Sequence, residues 1–477
     1  MTAAPSFTTP EWVKHAVFYQ IFPERFANGD PSNDPENAMP WGTPPTITNF
    51  MGGDLQGILD HLDYLHDLGI TALYLTPIFQ ATSNHKYNTF DYYQIDPHFG
   101  THDTFKQLID AAHEREIKVI LDGVFNHTGR GFWAFNNILE NGTDSPYFNW
   151  FHVNSFPLHA FDKEPAAGYQ YWWEVRSLPK LNTDHPPVRQ YLLDVARHWI
   201  EQGADGWRLD VPNEIADHDF WREFRHVVKV ANPEAYIVGE IWEDGSPWLD
   251  GTQFDAVMNY LFRKLALDFF ATHTLNAADF SRRVEQLMDV YHPQVVAAQL
   301  NLLGSHDTER FLSQADGQVE RLKLAVLWQM TLPGAPCVYY GDEVGMTGGK
   351  DPLCRGAFPW DENAWNRELH QFYKQAIAMR HRYPVLRSGE YCSLNSDAAA
   401  NVMAYARTSE TSTAVIVLNN SAATIKLDSL DLTTLPVRDG MQFEDALAQT
   451  RHDVTDHTLQ SLEIAPWSGL VLVTTDA

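Results

Sequence analysis

A chain of 477 residues can bury a large core, and a 44% hydrophobic content without low-complexity tracts places it among globular rather than disordered proteins. The formal net charge of -28 argues against nucleic-acid and anionic-membrane partners, because a polyanionic surface repels phosphate; a neutral substrate fits better. Cys337, Cys354 and Cys392 are too few for a disulfide framework and none shares metal-ligand spacing with another, which reads as a reducing, cytoplasmic setting.

The segment Met1 to Gln20 carries Pro5, Pro10, Glu11 and Lys14 where a secretory leader needs an unbroken apolar core, and no later run is long enough to span a bilayer. Val17 to Phe22 is the first candidate for a buried strand. A polar loop follows with Asn28, Asp30, Asn33 and Asp34, and the chain then reaches Gly52, Gly53 and Asp54. Clustered oxygens on flexible backbone suit Ca²⁺, which takes six to eight hard oxygen ligands. The same residues also build ordinary turns, and the loop by itself leaves both readings open.

Leu55 to Leu68 has helical spacing and ends at Gly69 before strand Ile70 to Leu75; helix Thr104 to Arg115 precedes strand Lys118 to Val124. Between about Thr128 and Lys180 the alternation gives way to a stretch rich in Phe, Trp, Tyr, Asn and Pro, read as an inserted domain. It resumes with helix Val188 to Gln202, strand Trp207 to Val211, helix Phe220 to Val230 and strand Ala235 to Glu240. Strand Ala256 to Met258, helices from Tyr260 to about Phe270 and Asp279 to Val290, strand Ala297 to Leu303, helix Glu320 to Met330, strand Cys337 to Tyr339 and helix Leu369 to Arg382 complete the series. Eight strands predict an α/β fold, a TIM (β/α)8 barrel over 1–127 and 181–384 with residues 128–180 inserted after strand three. Past Pro384, short β-rich runs at Asn401 to Arg407, Thr413 to Leu418, Thr424 to Leu427 and Leu462 to Val473 predict a C-terminal antiparallel β-sandwich over 385–477.

In such a barrel, chemistry sits at the C-terminal ends of the strands. Asp122, Asp210, Glu240 and the pair His306 and Asp307 all fall there, and like charges gathered on one rim are costly unless used. Arg208 and Asp210 lie two apart on one strand face, so Arg208 is expected to lower the Asp210 pKa, which suits a nucleophile or a structural ion pair. Glu240, beside Ile241 and Trp242, is expected to be held protonated by burial and to serve as acid, as in retaining glycosidic cleavage.

Asp122 to His127, Gly206 to Asp210, Glu240 with Ile241 and Trp242, and Ser305 to Asp307 resemble, in order, the four strand-end motifs of the α-amylase superfamily of glycoside hydrolases. Pro179 to Asn182, Val211 to Glu214 and Gly341 to Gly349 are similar to motifs of its cyclomaltodextrinase, neopullulanase and maltogenic amylase group. The resemblance implies Asp210 as nucleophile, Glu240 as acid/base and Asp307 as transition-state stabiliser. It implies Tyr87, Asp122, His127, Arg208, Glu214, Trp242, His306, Asp351 and Arg355 as substrate contacts. It further implies Asn28, Asp30, Asn33, Asp34, Gly52 and Asp54 as a structural Ca²⁺ loop. The implied activity is retaining hydrolysis of α-1,4 bonds in cyclomaltodextrins, maltooligosaccharides and possible pullulan or starch substrates, with maltose as product. A transglycosylase or an α-1,6-acting glucosidase is the alternative. Leu178 stands where the group usually has Met, and Pro212 where it has Ala. The group's extra N-terminal β-sandwich is expected to be missing, since the first barrel strand begins at Val17, and a monomer or weak homodimer is expected with it.

Overall fold

The computed structural model describes residues 7–162, 166–394 and 396–474. Eight parallel strands form the central sheet: β1 Phe18–Ile21, β2 Ala72–Leu75, β3 Lys118–Gly123, β4 Gly206–Leu209, β5 Tyr236–Gly239, β6 Ala256–Val257, β7 Leu300–Leu302 and β8 Ala335–Tyr339. They neighbour one another in the order β6-β5-β4-β3-β2-β1-β8-β7, and a parallel bridge from Met258 to Leu300 closes the ring into the expected barrel.

The two-residue period of a strand divides its side chains between two cores. Phe18, Ala72, Tyr74, Ile120, Tyr236, Val238, Ala256, Met258, Leu300, Leu302, Ala335 and Cys337 pack inside the barrel. The intervening positions, among them Tyr19, Leu73, Leu121, Trp207, Ile237 and Val338, pack outward under the helices. Gly206 has no alternative at its position, since a Cβ there would lie 2.2 Å from the Tyr236 carbonyl oxygen on the neighbouring strand.

Several elements differ from the sequence reading. Leu55 to Leu68 is two helices, Leu55–Asp60 and Leu62–Leu68, and strand β7 is preceded by the helix Pro293–Ala298. The segment Tyr260 to Phe270 is α-helical only to Ala266 and then widens into a π turn, Leu267–Ala271. An antiparallel hairpin, Phe79–Ala81 against Thr89–Ile95, follows β2 and carries His85, Lys86 and Tyr87 in its loop. The segment after β3 holds the helix Trp133–Asn141 and antiparallel bridges from His127 to Lys180 and from Phe151 to Leu181.

The C-terminal residues form eight antiparallel strands: β9 Glu390–Ser393, β10 Val402–Thr408, β11 Thr413–Asn419, β12 Ile425–Asp431, β13 Gln442–Asp445, β14 Arg451–Thr455, β15 Thr458–Ile464 and β16 Ser468–Thr474. Their order is β9-β10-β11-β16-β13-β14-β15-β12, with Val415, Leu430, Phe443, Leu462 and Leu472 in a shared core. The apolar run Leu462 to Val473 belongs to two strands, because the chain crosses from β15 to β16 through Pro466 and Trp467, the latter at φ +49. Fully buried Arg407 joins this sheet to the barrel by donating to the Thr331 carbonyl, and the equally buried Arg380, on the last barrel helix, ties that helix to the Met330 and Leu332 carbonyls.

Candidate active site

The inward-facing residues nearest the C-terminal ends of β1 to β4 are Gln20, Tyr74, Asp122 and Arg208, a polar layer on top of an apolar barrel core. Register brings them together. Asp122 pairs with Arg208 across β3 and β4, and Leu209 pairs with Gly239 across β4 and β5, so Asp210 and Glu240 leave adjacent strands side by side.

Arg208, with no exposed surface, is the hub. Its Nη1 donates to Asp122 Oδ1 at 2.8 Å and to Asp210 Oδ1 at 3.1 Å, and its Nη2 lies 3.0 Å from Glu240 Oε2. The Val211 N–H donates to the same Glu240 oxygen at 3.0 Å, and the Trp242 indole donates to Glu240 Oε1 at 3.0 Å. Val211, in the turn between β4 and the next helix, reaches that position at φ +35, an unusual conformation for a β-branched residue. Pro212, whose φ is fixed, then opens the short helix Pro212–Glu214.

One guanidinium serves three carboxyl groups, and this reverses an expectation. Asp210 is raised well above the ordinary carboxylate range, first by burial and then by the neighbouring Glu240, with Arg208 opposing. Asp122 is also raised by burial against the pull of Arg208. The two-residue spacing correctly placed the cation beside Asp210; it carried no information on the two other carboxyls sharing that cation.

Asp122 Oδ2 accepts from the Tyr74 and Tyr87 hydroxyls at 2.7 and 2.8 Å. Tyr87 lies 2.6 Å from His306 Nε2, and their rings stack at 5.3 Å with 7° between planes. His306 Nδ1 contacts the Gln20 amide at 2.7 Å, and Nε2 lies 3.0 Å from Asp307 Oδ2. Burial, then Arg355 and Arg208, hold His306 well below its ordinary pKa, so it is a neutral hydrogen-bonding group. Asp307 keeps 29% exposure and is pushed up to about 7 by burial and by Glu240. Arg355 bridges Asp307 at 3.2 Å and Asp351 at 3.1 Å.

These contacts join Tyr87, Asp122, Arg208, Asp210, Glu240, Trp242, His306, Asp307, Asp351 and Arg355 into one connected site. His127 is attached differently. It contacts Asn126 at 3.2 Å, stacks on Trp172 at 5.2 Å, is pushed down to about 3 by burial, and leaves a buried Nε2 without a partner. Glu214 stands apart from the acids, where its carbonyl accepts from Lys180 Nζ at 2.6 Å. Sequence reasoning missed Tyr74, Gln20 and Lys180 as partners. Gln20 had a signal: an amide within an otherwise apolar strand needs a buried partner.

In the polar loop after β1, Asp54 accepts from the Gly29 and Gly57 N–H groups with one oxygen and from the Asp30 N–H and the Asn33 amide with the other. Asn28 Oδ1 and Asn33 Oδ1 are buried without a donor, and a Cβ on Gly52, at φ +84, would fall 2.2 Å from Asp34 Oδ1. No group of three or more His, Cys, Asp or Glu among the described residues is placed as a metal site. The donor set is thus amide and carboxylate oxygen, chemistry that fits a hard cation such as Ca²⁺. Asn28 and Asp34 also line a cavity of about 570 Å³ with Met39, Trp41, His61 and Trp360, separate from the acids.

Comparison with known proteins agrees with this geometry. Residues 20–385 match the family described as "Alpha amylase, catalytic domain". The chain is 54% identical over 417 residues to a cyclomaltodextrinase from Geobacillus thermopakistaniensis, covering 87% of this chain and 70% of that protein. It is 48% identical over 470 residues to neopullulanase 2 from Thermoactinomyces vulgaris, covering 98% and 79%. The solved structure of a cyclic α-maltosyl-(1→6)-maltose hydrolase from Arthrobacter globiformis superposes with a TM-score of 0.89 at 42% identity, covering 98% of this chain and 100% of that one. The chain therefore belongs to the α-amylase family and is a glycoside hydrolase of the cyclomaltodextrinase, neopullulanase and maltogenic amylase group.

Proposed function

We propose that this hydrolase cleaves α-1,4-glucosidic bonds of cyclomaltodextrins and maltooligosaccharides with retention of configuration, releasing maltose. The observation that carries the reading is the attachment of Asp210 and Glu240 to the two terminal nitrogens of one buried guanidinium. That arrangement fits the short separation of about 5 Å between the carboxyls of retaining enzymes better than the wider gap that inversion requires.

Asp210 attacks the anomeric carbon while Glu240 protonates the leaving oxygen, and Glu240 then activates the water that releases the sugar. Because burial and Glu240 hold the proton affinity of Asp210 high, attack requires the pair to carry one proton, and it must reside on Glu240 when the bond breaks. Arg208 stabilises the carboxylate left behind in either state. Asp307 and the neutral His306 face the sugar hydroxyls, and Tyr87 forms the floor beneath the ring. Reaction of wild type with β-cyclodextrin, pullulan, soluble starch and maltotriose side by side tests the substrate class. Maltose should dominate; longer oligosaccharides accumulating from maltotriose would make the enzyme a transglycosylase.

A second reading has its own support. The chain and the Arthrobacter globiformis enzyme match nearly end to end, so a cyclic substrate containing α-1,6 bonds belongs in the same comparison. For the loop after β1, the orphaned Asn28 and Asn33 oxygens support Ca²⁺ held by Asn28, Asp30, Asn33, Asp34, Gly52 and Asp54. The ion would supply positive charge that fixes the loop. Three cysteines without disulfides support a reducing, cytoplasmic setting.

A further inference from the structure

Beyond the acids, one run of aromatic groups leads outward from the site. His127 leaves the C-terminal end of β3 with a buried, unpartnered Nε2 and stacks on Trp172 at 5.2 Å with 20° between planes. Trp172 in turn lies 5.7 Å from Trp173. Trp173 is 80% exposed, the largest exposure among the large hydrophobic side chains of the described residues. One exposed side chain is ordinary by itself; this one is informative because it ends an aromatic run that begins at the rim of the site.

The backbone around it is built rather than loose. The Trp172 N–H donates to the Leu178 carbonyl at 2.9 Å, the Val175 N–H to the Trp172 carbonyl at 3.1 Å, and the Leu178 N–H to the Val175 carbonyl at 2.9 Å. Within this closed loop Trp173 takes φ +51, a conformation that costs a non-glycine residue free energy. The loop is tied to the rim below it, because His127 pairs with Lys180 and Tyr171 with Pro179.

We infer that Trp173 is an outlying sugar-stacking platform that makes the cleft prefer long or cyclic α-glucans over short ones, an assignment that rests on the α-glucan reading above. A flat indole offers a large apolar face at little conformational cost, and the acidic chain selects a neutral occupant. A trisaccharide held at the acids is too short to use every position along the rim, so the contribution of Trp173 appears in the comparison between substrates.

The test is the ratio of kcat/KM for maltoheptaose to that for maltotriose, measured for wild type, Trp173→Ala and Trp173→Phe. Trp173→Ala should lower the ratio about three- to tenfold, with the loss in the KM for maltoheptaose, and Trp173→Phe should restore most of it. A wild-type ratio in Trp173→Ala overturns the assignment, as does a change in oligomeric state by light scattering with no change in ratio. If wild type cleaves neither substrate, the α-glucan reading falls and the assignment with it. If it cleaves both and Trp173→Ala treats them as wild type does, only the assignment falls.

Discussion

Replacing Glu343 by Gln isolates a single buried carboxyl without touching the acids of the cleft. Glu343 follows β8, has no exposed surface, and accepts the Tyr19 and Tyr64 hydroxyls on Oε1 at 2.7 and 2.6 Å. Its Oε2 has no hydrogen-bond partner, and among the described residues no cation pairs with it. Burial, opposed by those two hydrogen bonds, pushes it from its ordinary 4.5 up to about 7. A folded-state pKa above the unfolded value means that the native state binds the extra proton. The associated stability is complete below about pH 4.5 and is lost as pH rises through about 7. At 1.36 kcal/mol per pH unit the shift is worth about 3 kcal/mol. A Gln side chain keeps the acceptor for both tyrosines and cannot ionise. Urea midpoints of wild type and Glu343→Gln should therefore diverge between pH 5 and pH 8, with the variant gaining about 3 kcal/mol relative to wild type. Titrating groups not coupled to Glu343 cancel in the difference, and the adjacent Asp342, which also raises Glu343, contributes to it. A gap independent of pH would refute the reasoning.

Lys86 and Asp96 form a buried pair at 2.9 Å beneath the hairpin loop that presents Tyr87. Lys86→Met leaves the buried Asp96 carboxylate without its cation, held only by the Ala81 and His98 N–H groups, and should cost about 3–5 kcal/mol, while Lys86→Met with Asp96→Asn should recover much of it by urea denaturation. Equal midpoints for the single and double variants would contradict the pairing. Arg208→Met should lower kcat about 10²–10³-fold and also lower the urea midpoint, since it removes the cation shared by three buried carboxyls. Chelator should lower the melting temperature of wild type, with restoration by Ca²⁺, and Asn33→Ala should abolish that response; elemental analysis finding no calcium would count against the loop.

Strand order and the acids were legible from sequence because both obey simple periods. Asp122, Asp210 and Glu240 each close an apolar run, and a barrel places such residues on one rim. What sequence lacked was lateral information. Asp210 is raised first by burial and then by Glu240, with a smaller push from Asp122, and both the burial and those neighbours arise only through the pairing of β3, β4 and β5. The same holds for Tyr74, one of several aromatics in apolar strands until Asp122 is seen 2.7 Å away. The hairpin bearing Tyr87 is not legible because its first strand has only three residues and polar residues interrupt the second. In the C-terminal sheet, Leu462 to Val473 reads as one strand by composition, and only Pro466 marks the crossing.

The central claim is that Asp210 forms a covalent bond to the sugar while Glu240 supplies and removes the proton. It is tested most directly by mass spectrometry of Glu240→Gln incubated with a fluorinated α-maltosyl fluoride, whose good leaving group needs no acid. The account requires an enzyme mass increased by one fluorinated maltosyl unit, with peptide mapping placing it on Asp210. Turnover without an adduct and with release of the inverted β-anomer, or an adduct on any other carboxyl, would contradict it.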